Sequence, residues 1–390
     1  LIAQRAKRDE AIFVVVVAVL GAVLCLLPTG FRSPYAPGTS LPAIARITSV
    51  DNSVIRQIGP VKEGEQQLEL RISTGRFAGR EFKSSNNLVG KMEIDKLFSP
   101  GDRVLVVVDL KDGGKEAGYV NVIDHFRVDI LAVLALLFLG LLVALGGWTG
   151  VKSVLSFAFT ALVIFKLLMP AMLWGWDPML VTLGVVAAIE ASAIFLIGGL
   201  TRRALAAFAG AMGGVLLTAA LAYATTHLLK IHGAVRPYAE NLLYSGFGHL
   251  DLKGLFVAGV FLASSGAAMD LSMDIAAAMD EVRDKNPSIG RSELVRSGMT
   301  VGRQVLGTMT TTLLLAYTSG YSALIMTFIA QGVPLINVLN MVFVAAEISH
   351  TLVGSLGLVL VAPLTAVAGG LTLKPRRAVA AIAKPLAREE

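Results

Sequence analysis

From about residue 128 onward the chain is nearly unbroken apolar sequence, cut at intervals by short polar stretches. Runs at roughly 129–147, 152–171, 179–200, 204–227, 252–276, 304–330 and 348–372 each hold enough apolar or small residues to cross a hydrocarbon core about 30 Å thick. An earlier run at 11–28 follows a basic start with Arg5, Lys7 and Arg8. No small-residue cleavage site follows it, so it predicts an uncleaved first span rather than a signal peptide. With it the pattern predicts a polytopic α-helical membrane protein of about eight spans. The segment 335–350 is apolar but short, and reads as a half-crossing or a surface-lying helix before the last span.

Between the first two runs the period changes. Residues 46–50 (RITSV), 67–73 (QLELRIS) and 104–108 (VLVVV) are β-branched runs, and the first two alternate polar with apolar. Turns fall at Asp51-Asn52, Gly75, Gly79, Pro100-Gly101-Asp102 and Asp112-Gly113-Gly114. About five short strands in this stretch predict a small closed barrel, OB-like in the first instance. Phe77, Phe82, Phe98 and Tyr119 are scattered and read as core, not as a stacking platform. The barrel is therefore expected to be structural or to dock a partner, not to read a ligand. The predicted layout is an N-terminal tail (1–10), a first span (11–28), an OB-like β domain (42–125), a helical bundle (128–373) and a C-terminal tail (374–390).

Charge sets the orientation. Net charge is +6, and the cations cluster at span ends: Lys152, Arg202-Arg203, the stretch Arg283–Arg303, and Lys374-Pro375-Arg376-Arg377. Short cytoplasmic loops carry the excess of Lys and Arg, which places both termini in the cytoplasm and the β domain outside. The loop at 228–251, with Lys230 and Arg236, is an exception to that parity. Basic residues so placed answer to lipid rather than to nucleic acid. The single cysteine, Cys25, cannot form an intrachain disulfide, and no Cys/His cluster has zinc-site spacing.

Against this apolar background Glu190, Asp270, Asp274, Arg303, Glu347 and His350 stand out. A charge at the bilayer centre costs about 2.5–3.5 kcal/mol on the lenient scale, so such residues face a cavity, a bundle interior or each other. Asp270 and Asp274 are i and i+4 on one helix face, with Ala277 and Glu281 continuing the stripe. Two carboxylates this close suit a proton or metal-ion coupling site; pairing with Arg296 or Arg303 is the structural alternative. Thr308, Thr311 and Thr312 share a face, beside a row of Arg303, Gly307 and Thr310. Threonines in a span commonly bond their own helix, yet this density also suits a hydrophilic path, with Arg303 able to hold an anion bidentately. Glu190 has no snorkelling route and has to be neutral, paired or wet. Glu347 and His350 form one Glu-x-x-His pair, weak grounds for a metal, whose presence stays open. Lys166 reads as a snorkeler, and Ala206, Gly210 and Gly214 as a face for close helix packing.

Residues 266–275 (GAAMDLSMDI), 286–287 (NP), 293–303 (ELVRSGMTVGR) and 307–317 (GTMTTTLLLAY) resemble the YibE/F family of bacterial membrane proteins. GVPLIN at 332–337 and GSLGLVLVAPLTA at 354–366 fit the same pattern, which covers most of 128–373. It departs at Gln304, where the family carries an acidic residue, and at Thr311, where it carries Asn. The resemblance implies an integral plasma-membrane protein with an extracytoplasmic β domain and about eight spans, for which transport is the common expectation.

No Walker A, Gly-x-Ser-x-Gly or His-Glu-x-x-His motif occurs, and His227, His232 and His249 fall in one external loop. No enzymatic activity and no cofactor are expected. The leading expectation is a secondary carrier of an unidentified small solute or ion in the bacterial cytoplasmic membrane. Asp270 and Asp274 would couple, Arg303 and the threonines would contact solute, and Glu190 would relay protons. The other is a scaffold whose β domain docks an envelope partner. Beyond the lipid bilayer, small-residue faces leave a homodimer open.

Overall fold

The computed structural model describes residues 2–31, 39–111 and 116–373. The tail 374–390 and the turn at Asp112-Gly113-Gly114 lie outside the described residues. The chain forms two compact units, one over Phe31–Leu141 and one over Leu1–Gly30 together with the chain from Leu142 onward.

Among the described residues the first unit has six strands. β1 (Ser40–Asp51) pairs antiparallel with β3 (Val61–Ile72) on one side and β5 (Arg103–Lys111) on the other. β3 also pairs with β2 (Arg56–Ile58) and β4 (Glu81–Val89), and β5 with β6 (Glu116–His125). The sheet curls into an antiparallel half-barrel, in which β4 and β6 approach without a ladder between them. The period-2 reading holds in the core. Ala45 and Ile47, Leu68 and Leu70, Val104 and Val106 all turn to the same buried side, with Phe77 and Phe98. Tyr119 departs from the expectation: it is half exposed, and a hydrogen bond from the Ser85 side chain holds its phenol below the ordinary tyrosine range. The fully buried Gln66 ties the segment before β5 to the sheet. Its amide donates to Asn52 Oδ1 (2.8 Å) and the Phe98 carbonyl (3.1 Å), and its oxygen accepts from the Phe98 N–H (3.0 Å).

The second unit is helical. α1 (Ile2–Leu26) begins within the predicted tail and carries an apolar stretch, Glu10–Leu26, shorter than a full crossing. α2 (Val128–Val163) runs through a π-helical segment, Ile164–Leu168, into α3 (Met169–Leu173). Gly147 breaks α2 with φ 54° and ψ −131°, a left-handed conformation that glycine adopts without strain. The turn is tight enough that a side chain on Gly150 would meet the Leu142 carbonyl. α4 (Pro178–Gly198) starts at Asp177, whose carboxylate accepts from the Leu180 N–H at 2.8 Å, with Pro178 in the first turn. α5 (Arg202–Leu228) starts likewise at Thr201. There follow α6 (Ala239–Tyr244), α7 (Leu252–Lys285), α8 (Arg291–Ser319), α9 (Ser322–Ala330), α10 (Leu335–Asn340) and α11 (Val342–Thr372).

By length and composition 5 of these helical runs can cross a membrane, or 6 if α8 and α9, bent by 65°, count as one broken span. The stretch 335–350 is not a separate crossing. It divides at Met341, whose extended backbone (ψ 131°) ends α10, and its second half opens the long helix α11. α5, α7, α8 and α11 form the packed centre. Gly210 and Gly214 of α5 sit directly against Thr365 and Val361 of α11, as their spacing predicted, and Gly302 of α8 nests against Ile275 and Ala362. Buried Lys152 pairs with Glu10 at 2.8 Å, tying α2 to α1, and Lys166 donates to the Leu27 carbonyl at 3.2 Å.

Candidate functional site

Three groups of polar side chains occupy the helical unit, and they differ in burial and pairing. The first is a pair of exposed polar stripes, one on α7 and one on α8. Ile275 packs on Gly302, so their sequence neighbours Asp274 and Arg303 lie at one level of the bundle. Asp270, Asp274, Arg303, Thr308, Thr311 and Thr312 are all exposed on this pair of helices. The α7 stripe is small and acidic (Ala263, Gly266, Asp270, Asp274, Ala277, Glu281), whereas the α8 stripe is polar and basic (Thr300, Arg303, Gln304, Gly307, Thr308, Thr311). The expected pairing of the aspartates with Arg296 or Arg303 is not made. Among the described residues Asp270, Asp274 and Arg303 have neither a hydrogen bond nor an ion pair from their side chains. Thr308, Thr311 and Thr312 donate to the carbonyls of Val305 (2.9 Å), Gly307 (3.3 Å) and Thr308 (3.1 Å). Their donors are spent on their own helix, and their oxygens keep lone pairs for an outside donor.

The second is Glu190 alone. It is 1% exposed, and among the described residues neither carboxylate oxygen has a hydrogen-bond partner. Pro178 lies against Gly254, and Ile194 and Ile197 share a cavity of about 130 Å³ with Met273 and Ala276, so α4 runs alongside α7 in the same direction. Glu190 is therefore roughly level with Gly266 and Met269, about one turn from Asp270.

The third joins residues far apart in the chain. Arg236, in the loop between α5 and α6, donates from Nη1 to Glu347 Oε2 at 2.9 Å and to the Tyr321 hydroxyl at 3.1 Å. Its Nη2 lies 2.7 Å from His350 Nδ1. The guanidinium also stands over the Phe256 ring at 5.7 Å, and the rings of Tyr317 and His350 lie 4.3 Å apart. Glu347 and His350 are both buried, on the first turns of α11, rather than at an interfacial helix end. Among the described residues His350 Nε2 and the Tyr317 hydroxyl have no hydrogen-bond partner. Beside this cluster opens a cavity of about 230 Å³, walled by Leu314, Leu324, Leu339 and Leu352, with Tyr321 and Glu347 on its side. Sequence spacing found the Glu-x-x-His pair but not Arg236, Tyr317 or Tyr321. The one available signal was Arg236 as a cation on the wrong side of the charge parity.

These features define a multi-helix membrane protein with charged side chains set into its bundle. The chain matches the model of the YibE/F-like protein family over residues 134–375, and it belongs to that family. No curated protein and no solved structure matches it.

Proposed function

We propose that this protein is an ion-coupled secondary carrier of a small solute or ion in the bacterial cytoplasmic membrane. The observation that carries the reading is the pair of exposed stripes on α7 and α8, where two carboxylates and a guanidinium stand uncommitted and three threonine oxygens keep lone pairs, on helices otherwise built for lipid. Lipid does not solvate such a face, so it suits a water-filled path. Glu190, buried and unpartnered one turn away, is the proton-relay candidate. Arg303 and the threonines contact solute, and Asp270 and Asp274 bind the coupling ion. Reconstitution into proteoliposomes tests this. Asp270→Asn is expected to abolish flux while expression and thermal stability stay at wild-type levels; unchanged flux sinks the assignment.

The full topology we propose has eight spans and both termini in the cytoplasm. It is supported by the break at Gly147, which divides the longest apolar run, and by Arg202, Arg203 and the Arg283–Arg303 stretch on one side. The β unit we read as an OB-like barrel. Its pairs β1–β3, β3–β4, β1–β5 and β5–β6, with β4 beside β6, follow that strand order.

A second reading, a scaffold docking an envelope partner, draws on the β unit itself. Ile58, Val89, Met92 and Ile94 are each more than half exposed, around a cavity of about 240 Å³ lined by Val61, Leu88, Met92 and Leu97. Deleting 42–125 then removes function, whereas Asp270→Asn leaves it intact.

A further inference from the structure

We infer that His350 is a proton-binding site whose occupancy decides whether Arg236 stays bound to Glu347. The argument starts from donors and acceptors. A guanidinium has only donors, so the 2.7 Å contact makes His350 Nδ1 the acceptor. His350 is then a neutral imidazole carrying its hydrogen on Nε2, the very atom that is buried without a partner. Glu347 Oε2 accepts from Arg236 at 2.9 Å and lies 3.6 Å from His350 Nδ1. One carboxylate thus faces a permanent cation, Arg236, and a second group, His350, that becomes a cation when it binds a proton.

A proton arriving at Nδ1 takes the lone pair that Arg236 Nη2 was using. That N–H···N bond breaks, because two cations cannot share it. The new Nδ1–H of the imidazolium turns to Glu347 Oε2, a side-chain rotation away, and replaces Arg236 there. Site charge rises by one, and the guanidinium leaves still protonated. The other groups facing the imidazole are Tyr317 from α8 and, through Arg236, Tyr321 ahead of α9; neither supplies a second carboxylate.

The loop that carries Arg236 is built to respond. Lys230 (φ 53°) and Tyr238 (φ 62°) are the non-glycine residues with left-handed backbone among the described residues, and they bracket Arg236 on both sides. Such conformations persist only where surrounding contacts hold them. Arg236 supplies part of those contacts, to α7, to α11 and to Tyr321 at the bend ahead of α9. Releasing it frees a strained loop beside the 230 Å³ cavity that Glu347 and Tyr321 help to wall. Applied to the proposed carrier, this makes His350 a proton-operated latch on the loop, separate from the ion-binding Asp270 and Asp274; that application rests on the carrier reading, whereas the exchange itself does not.

Amide hydrogen exchange on the full-length protein in lipid nanodiscs tests the exchange without any transport measurement. Rates for peptides covering 229–238 are compared between about pH 8 and pH 5, where histidine changes charge, after correction for intrinsic exchange. Wild type is expected to open on the order of tenfold more at the lower pH. His350→Asn keeps an acceptor where Nδ1 was but takes no proton, and is expected to stay closed throughout; H350Q serves if H350N does not fold. Arg236→Gln is expected to be open at both values. A wild-type loop indifferent to pH, or one whose response survives in H350N or H350Q, overturns the proposal. Nitrogen-15 spectra of the imidazoles give an independent reading on unmutated protein. Five histidines are present, and a His350 signal in the Nδ1–H form at about pH 8 also overturns it. Flux that fails in proteoliposomes while the loop still responds refutes the carrier, not the proton site.

Discussion

The two ends of α8 solve the problem of charge in an apolar bundle in opposite ways. Around Tyr317, Arg236 engages Glu347 Oε2, His350 Nδ1 and the Tyr321 hydroxyl, and the acidic and imidazole side chains are buried. Around Arg303, fourteen residues or about 21 Å away along the helix, the charges are exposed and have no hydrogen bond or ion pair among the described residues. A buried charge without a partner costs several kcal/mol, so the first arrangement has to be closed to exist at all. In the carrier we propose, water or solute would complete the second.

Five substitutions probe that contrast. The largest effect is expected for Arg236→Ala, which strands Glu347 and should cost about 3 kcal/mol, allowing for the partial exposure of the arginine. Equilibrium unfolding in mixed micelles measures it, and a loss well under 1 kcal/mol would mean the cluster is not closed. Glu190→Met is next and opposite in sign. Replacing an orphan carboxylate by an apolar side chain should stabilise the protein by about 1–2 kcal/mol while removing flux. A destabilised variant with no flux would point to a hidden partner instead. Third, Gly302→Ala puts a Cβ 2.9 Å from that of Ala362 and 3.1 Å from Ile275 Cδ1, and should cost about 1 kcal/mol. The same change at Gly307, with nothing within 4 Å, should be neutral by the same assay. Smallest on stability is Arg303→Gln, expected within about 0.5 kcal/mol, since no partner is lost. Its effect belongs to solute flux, and equal losses of stability and flux would move Arg303 into the structural class.

Much of this architecture was legible locally. Period-2 runs located the half-barrel, and the Ala206, Gly210, Gly214 spacing located the α5–α11 contact. The shared face of Thr308, Thr311 and Thr312 followed from helical geometry alone. What could not be read were closures over long separations. Arg236 lies 111 residues from Glu347 and 114 from His350, and no spacing rule spans that distance. Chain breaks were equally hidden. The run 304–330 carries no charge, yet it bends by 65° between Ser319 and Ser322, where Gly320 and Tyr321 interrupt the helix. The apolarity of 335–350 concealed the division at Met341, because hydropathy reports where a segment is at home and not which way its backbone turns.

Gly147 shows how much can hang on one such turn. Without it the 46 residues of Val128–Leu173 would form a rod about 69 Å long, over twice the thickness of a hydrocarbon core. A rod crosses once; a hairpin crosses twice. Under the eight-span topology, one dihedral pair therefore sets the parity of everything downstream. It decides on which side of the membrane Arg203 and Arg303 emerge, and whether the Arg236 loop meets the cell's exterior or its cytoplasm.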